Sequence, residues 1–164
     1  MIESFIKLNK KMSPQEKFNT LSDIMPQPSG SKGIYKSCIA VDSIVYTSGH
    51  VPFDTEGNRI KGRVGQTMST EEAKVVARNV GICILQTLIK EYGSLDKIKR
   101  VVKILGMVNA VPDYAEHPIV INGCSELFRE IWGDDLGVGA RSAVGMGSLP
   151  DHVPVEIEAI FELK

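Results

Sequence analysis

Between residues 69 and 93 the apolar positions Ala73, Val76, Ala77, Val80, Ile84 and Leu88 recur at three- and four-residue spacing, the period of a helix with one buried face. Ser69 with Glu72 three residues on forms a capping box, and Gly93 supplies the stop. A second helical pattern runs through "DYAEHPIVINGCSELFREIWG", with Pro118 in its first turn and Gly133 at its end. Elsewhere the period drops to two. "YKSCIAV" and "SIVYTSGHV" flank Asp42 as a β-hairpin, "IKRVVKILGMVNAV" is a long third strand, and the stretches near 140 to 149 and 154 to 163 read as a closing hairpin. In the last of these, Val155, Ile157, Ala159, Phe161 and Leu163 share one face, and Glu156, Glu158, Ile160 and Glu162 share the other. Strand pairs alternating with single helices predict an α+β layer, one sheet with both helices packed on one face.

Before this core, "SPQEKFNTLSDIM" carries a capping box of its own, Ser13 with Glu16, and Pro14 at the first helical position, so a short helix is expected to about Ile24. "MPQPSGSKG" follows as a Pro-, Gly- and Ser-rich connector, which makes residues 1–33 a helical arm and connector. "PFDTEGNRIKGRVGQTM" reads as a long loop with one short strand around Ile60.

At 164 residues and 43% hydrophobic, the chain is long enough to bury a core without disulfides or metals. The 19 basic and 20 acidic residues are interspersed, which gives little support for a phosphate-tracking surface. Cys38, Cys83 and Cys124 are odd in number and far apart, so reduced thiols are expected, with neither a disulfide framework nor a zinc site. His117 and His152 lack ligand spacing and read as surface residues. The glycines Gly62 and Gly65 in "KGRVGQTM" match no phosphate-binding motif. "MIESFIKLNKK" has no apolar signal core, and a cytoplasmic location with no membrane contact is expected.

The chemistry concentrates at the last two strands. If only one side of the sheet is covered by helices, a partner subunit or water must meet the glutamate side. Under a partner, Glu156 would stand in a semi-enclosed polar cleft that can tune it for proton transfer. Arg141, after "DDLGVGA", can grip a small carboxylate through two parallel hydrogen bonds. The same two residues also suit a purely structural ion pair.

"GARSAVGMGSLP" followed by "VEIEAI" resembles the C-terminal signature of the RidA/YjgF superfamily, in which A-R-S-x-V and L-P precede an I-E-I-E-A strand. "GIYKSCIAV" resembles the family's P-Y motif, "YTSGHVP" its T-S-G-Q-[IV]-P, and "DYAEHPIVINGCSELF" its D-F-x-x-V-N helix, so the likeness runs from about residue 34 through 164. The resemblance implies a chorismate-mutase-like α+β fold and a homotrimer with clefts between subunits. The activity it implies is hydrolysis of reactive enamines and imines such as 2-aminoacrylate to 2-oxo acids and ammonia, with a small carboxylate-bearing metabolite as substrate and no cofactor. By position, Arg141 matches the arginine that binds the substrate carboxylate and Glu156 the glutamate that positions the attacking water. Tyr35 matches the aromatic residue at the cleft mouth, Ser48 and Gly49 the turn lining the pocket, and Asn122 the helix asparagine beside it.

The chain departs from that pattern in three places. Ala143 stands where many members have cysteine, His50 where they have glutamine, and the asparagine helix carries about one extra turn, Glu116 to Ile119. Ala143 and His50 are therefore carried as pocket residues of altered chemistry, and the chain resembles a longer, less studied branch. Read from the residues alone, His50 is either a general acid or base or a hydrogen-bonded loop residue. Asn122 is either a satisfied buried amide or a pocket residue, and Tyr35 either a cleft or a seam aromatic. Two alternatives accompany the deaminase reading: an endoribonuclease or translation inhibitor of the L-PSP type, and a metabolite-binding trimer without catalysis. RNA is the less favoured partner, because the net charge is −1 and only 6% of residues are aromatic.

Overall fold

The computed structural model of the chain describes residues 11–30 and 33–164, so the opening segment 1–10 and positions 31–32 of the connector lie outside the described residues. Helix α1 (Pro14–Asn19) is followed by the hairpin β1 (Cys38–Val41) and β2 (Ile44–Thr47). Then come α2 (Thr70–Tyr92), β3 (Ile98–Asn109), α3 (His117–Trp132), the single turn α4 (Asp134–Gly137), β4 (Ala140–Met146) and β5 (Val155–Leu163). Both capping boxes form: Ser13 with Glu16 opens α1, and Ser69 with Glu72 opens α2. Helix α1 stops at Asn19, five residues short of the expected end, and 20–30 continue as an extended strap. Around Ile60 there is no strand of any length, only an isolated bridge between Phe53 and Arg59.

The five strands form one sheet in the order β1-β2-β5-β3-β4, antiparallel except for the parallel pair β3 and β4. This corrects the closing hairpin expected from the sequence. Strands β4 and β5 are not neighbours, because β3 lies between them, with Met107 opposite Glu156 and Ile104 opposite Arg141. The reason is geometric: parallel strands need a long crossover, which α3 supplies, and the eight residues 147–154 are too many for a tight hairpin but enough to pass the end of β3.

Helices α2 and α3 cover one side of the sheet. Phe128, Trp132 and Phe161 meet there with ring centroids 5.6 to 6.0 Å apart. The alternation in β5 is realised as expected: Val155, Ile157, Ala159 and Phe161 are buried under the helices, and Glu156, Glu158, Ile160 and Glu162 lie on the open side. The two helices approach closely at Gly123, where an added Cβ would collide with the carbonyl oxygen of Lys74. Across their outer surface runs the strap. Phe18, Leu21 and Met25 pack on the core, and Arg78 donates to both oxygens of Asp23 at 2.6 and 2.9 Å while also reaching Glu130 at 2.8 Å.

Candidate functional site

Two groups of the expected residues assemble, on opposite sides of the sheet. On the open side, the turn after β2 brings Ser48 and Gly49 against Glu156 of β5, because the His50 and Ile157 backbones exchange N–H···O bonds of 2.8 and 2.9 Å. A Cβ at position 49 would overlap the Glu156 carboxylate, so glycine there lets the carboxylate lie against the turn, and a larger residue would push that side chain aside. Ser48 Oγ donates to the carbonyl of Lys36 at 2.6 Å, tying the turn to the segment that carries Tyr35. Tyr35, Ser48, Gly49 and Glu156 line one cavity of about 470 Å³, together with Arg59 and Asp151.

His50 points behind this cavity. Its Nδ1 donates to the Ser48 carbonyl at 2.8 Å, which leaves Nε2 as the acceptor for the Thr87 hydroxyl, also at 2.8 Å. Burial holds its pKa below the ordinary histidine value, the Ser48 bond opposing only in part, so near neutral pH the ring is an uncharged brace for the turn. Glu156 is pushed the other way. Burial first, and Glu158 two residues on along the same side, raise its carboxyl above the ordinary range, while Arg59 pulls it partly back.

On the helix side, Arg141 Nη1 donates to Asn122 Oδ1 at 2.8 Å and to Ser125 Oγ at 3.1 Å. Asn122 is thus a half-buried amide whose oxygen accepts from Arg141, and it borders the cavity beside that arginine, away from the Glu156 cavity. The pair opens into a second cavity of about 290 Å³ bordered by Arg129 and Gly139. Arg141 and Glu156 form no ion pair with each other, because β3 and the thickness of the sheet separate them. Ala143 lines neither cavity and packs against the core. Among the described residues, no group of three or more His, Cys, Asp or Glu side chains is arranged to hold a metal ion, and no helix is long and apolar enough to cross a membrane. Burial pushes the Cys83 thiol up to about 12, which leaves it a poor nucleophile.

Sequence reasoning missed Ser125, Thr87, Arg59, Phe53 and Asp151. Ser125 stands one helical turn after Asn122, a spacing that could have flagged it as a second acceptor for the same arginine. Arg59, Phe53 and Asp151 meet only through loop folding, and no periodicity announces them.

One mixed five-stranded sheet beneath two long helices, with a glutamate cavity on its uncovered side, defines an α+β protein of the RidA/YjgF type. Comparison with known proteins agrees, and the chain belongs to the endoribonuclease L-PSP family, whose pattern matches residues 26–163. It is 33% identical over 129 residues to Protein TCP17 of Trypanosoma cruzi, covering 79% of this chain and 81% of that one. The crystal structure of Atu1372 from Agrobacterium tumefaciens is 34% identical, covers 92% of this chain and 91% of its own, and superposes with a TM-score of 0.80. A Shewanella oneidensis protein proposed to be an endoribonuclease is 24% identical and shares the fold with a TM-score of 0.86 over 93% of this chain and all of its own.

Proposed function

We propose that the chain hydrolyses small carboxylate-bearing enamines and imines of the 2-aminoacrylate type to 2-oxo acids and ammonia, in a cleft completed by a second copy of itself within a homotrimer. The observation that carries this reading is the separation of Arg141 from Glu156 within one copy. A substrate that needs both must meet the β4 edge of one copy and the open side of the sheet of another. Such a contact joins unlike surfaces, and unlike surfaces close into rings when the rotation permits. In that cleft Arg141, aimed by Asn122 and Ser125, holds the substrate carboxylate. Glu156 directs a water at the imine carbon. An enamine first tautomerises to the imine; the water oxygen then bonds to the imine carbon as one of its protons passes through Glu156 to nitrogen, and the remaining hydroxyl proton follows by the same route as the carbon–nitrogen bond breaks, the carbonyl forms and ammonia leaves with the 2-oxo acid. A raised carboxyl pKa suits a group that must both take and return a proton.

The test is release of 2-oxo acid from 2-aminoacrylate or 2-iminobutyrate generated in place by a dehydratase. We expect acceleration by the protein, loss of turnover in Arg141→Ala, and an unchanged assembled mass by light scattering. Retained activity in Arg141→Ala would overturn the mechanism. The family's description also supports a second reading, cleavage of RNA; degradation of a labelled RNA by the purified protein, abolished by the same substitution, would replace the deaminase reading.

A further inference from the structure

The Glu156 cavity contains a cation that the deaminase reading leaves unused. Arg59 comes from the loop between β2 and α2, and its side chain is only 15% exposed. Its guanidinium carbon sits over the face of the Phe53 ring, 3.9 Å from the centroid. Its Nε faces Asp151 Oδ2 at 3.4 Å, a separation that orients the group without saturating it. Among the described residues, neither Nη atom donates to a protein acceptor within hydrogen-bond distance. Arg59 borders both the main cavity, with Glu156 and Tyr35, and the smaller recess behind it, with His50 and Thr87.

A guanidinium this enclosed, fixed on one face by an aromatic ring and on one edge by a carboxylate, presents its remaining fork to whatever fills the cavity. That fork matches a second carboxylate. The backbone around it is committed to the arrangement: Asp151 and His152 hold left-handed φ values of 54° and 57°, uncommon for residues with side chains, and this turn sets Asp151 against Arg59.

We propose that Arg59 is a specificity-determining residue that binds a second acidic group on the substrate, so that this chain prefers enamines and imines of dicarboxylic acids over monocarboxylic ones. The proposal rests on the deaminase reading for its reaction, with Arg141 of another copy taking the carboxylate next to the imine and Arg59 the distal one. The chemistry is the same balanced hydrolysis, in which water adds, ammonia leaves and the second carboxylate is unchanged. A site built around a buried charged donor also rejects analogues that leave it without a partner.

The test has two readouts, so that the proposal and the reading beneath it can fail separately. The first is calorimetric binding of stable 2-oxo acids: 2-oxoglutarate and oxaloacetate against 2-oxobutyrate. The wild-type chain should bind the dicarboxylates roughly 10- to 100-fold tighter. Arg59→Met should bring that ratio close to one, and Arg59→Lys, which keeps the charge but not the fork, should fall between. The second readout is turnover of 2-iminosuccinate against 2-iminobutyrate, each generated in place by an amino-acid oxidase, with the same change of ratio expected. A wild-type preference for monocarboxylates, or a ratio unmoved by Arg59→Met, overturns the proposal, as does an equal loss for both ligand classes, which would make Arg59 a brace for Phe53 and Asp151. Turnover of neither imine with an Arg59-dependent binding ratio intact sinks the deaminase reading and upholds the dicarboxylate site.

Discussion

Gly49 and Glu156 meet where the turn after β2 crosses β5, and burial there, with Glu158 beside it, makes the Glu156 carboxylate more easily protonated in the folded chain than in the unfolded one. The sign of the pH dependence follows from that. As pH rises from the ordinary glutamate range through the raised folded value, the unfolded chain loses its proton first, and the folded state loses stability at this position relative to its acid form. Glu156→Gln removes the charge and the penalty with it. We expect the variant to melt higher than wild type at pH 7, with the gap closing below about pH 4, where both are uncharged. Turnover should fall by about 10²- to 10⁴-fold, the usual contribution of a positioned acid–base group. A lower melting temperature at pH 7 would instead make the carboxylate a structural group. This trade is invisible in the spacing of β5, where Glu156, Glu158 and Glu162 look equivalent; only the turn at Ser48 and Gly49 singles out the first of them.

At the scale of elements, the helices were readable from the chain because local chemistry decides them: a serine cap, a glutamate three residues on, and a glycine stop bracket α2 on both sides. The strands were readable as strands, but their pairing was not. Alternation in 140–146 and 155–163 says that each lies on a pleated surface and says nothing about which strand comes between them. The pairing is set by α3, which returns the chain in parallel to β3. The candidate site suffered in the same way. Arg141 and Glu156 belong to a tight hairpin on paper, and the inserted strand puts them in separate cavities. Arg59 stands in the sequence as one residue of a long loop, since neither Phe53 nor Asp151 reveals itself as its neighbour without the fold. The contact between α2 and α3 offers a test at this level. In Gly123→Ala the new methyl group meets the Lys74 backbone, which cannot rotate away, so a loss of about 1–3 kcal/mol is expected from overpacking. Because Asn122 is adjacent and Ser125 lies two residues on, any displacement of α3 also loosens Arg141. Thermal melting should show the drop. Melting unchanged from wild type would mean that the two helices separate at little cost.

For the molecule as a whole, the N-terminal helix and the strap 20–30 are tied to the main body by several hydrogen bonds, among which the two-point grip of Arg78 on Asp23 carries the charge. Arg78 holds the Asp23 carboxyl below the ordinary aspartate range, so this pairing supports the folded strap above that range and is lost as pH falls through the lowered value. Further along, Gln86 Nε2 donates to the Pro26 carbonyl at 3.1 Å, and Pro28 and Ser29 border the recess behind the Glu156 cavity. Arg78→Met should therefore leave the sheet intact while detaching the strap. We expect faster limited proteolysis within 20–30 and a stability loss of about 1 kcal/mol, since the charges are partly exposed. Proteolysis at the wild-type rate would show that the packing of Phe18, Leu21 and Met25 and the remaining hydrogen bonds hold the strap without the Arg78 pair.

The position of β5 between β2 and β3 bears on how the chain is made. Synthesis delivers β1 to β4 before residues 155–163, and β1 and β2 more than a hundred residues earlier, yet the strand that joins the β1–β2 hairpin to the β3–β4 pair is β5. Until it emerges, β2 and β3 each present an unpaired backbone edge, the kind of edge that recruits other chains. A nascent chain halted before residue 155 would hold two half-sheets and neither the Glu156 cavity nor a continuous core. Ribosome-bound intermediates of this protein should accordingly be clients for chaperones that shield open strands, until β5 arrives and the two halves close on it together.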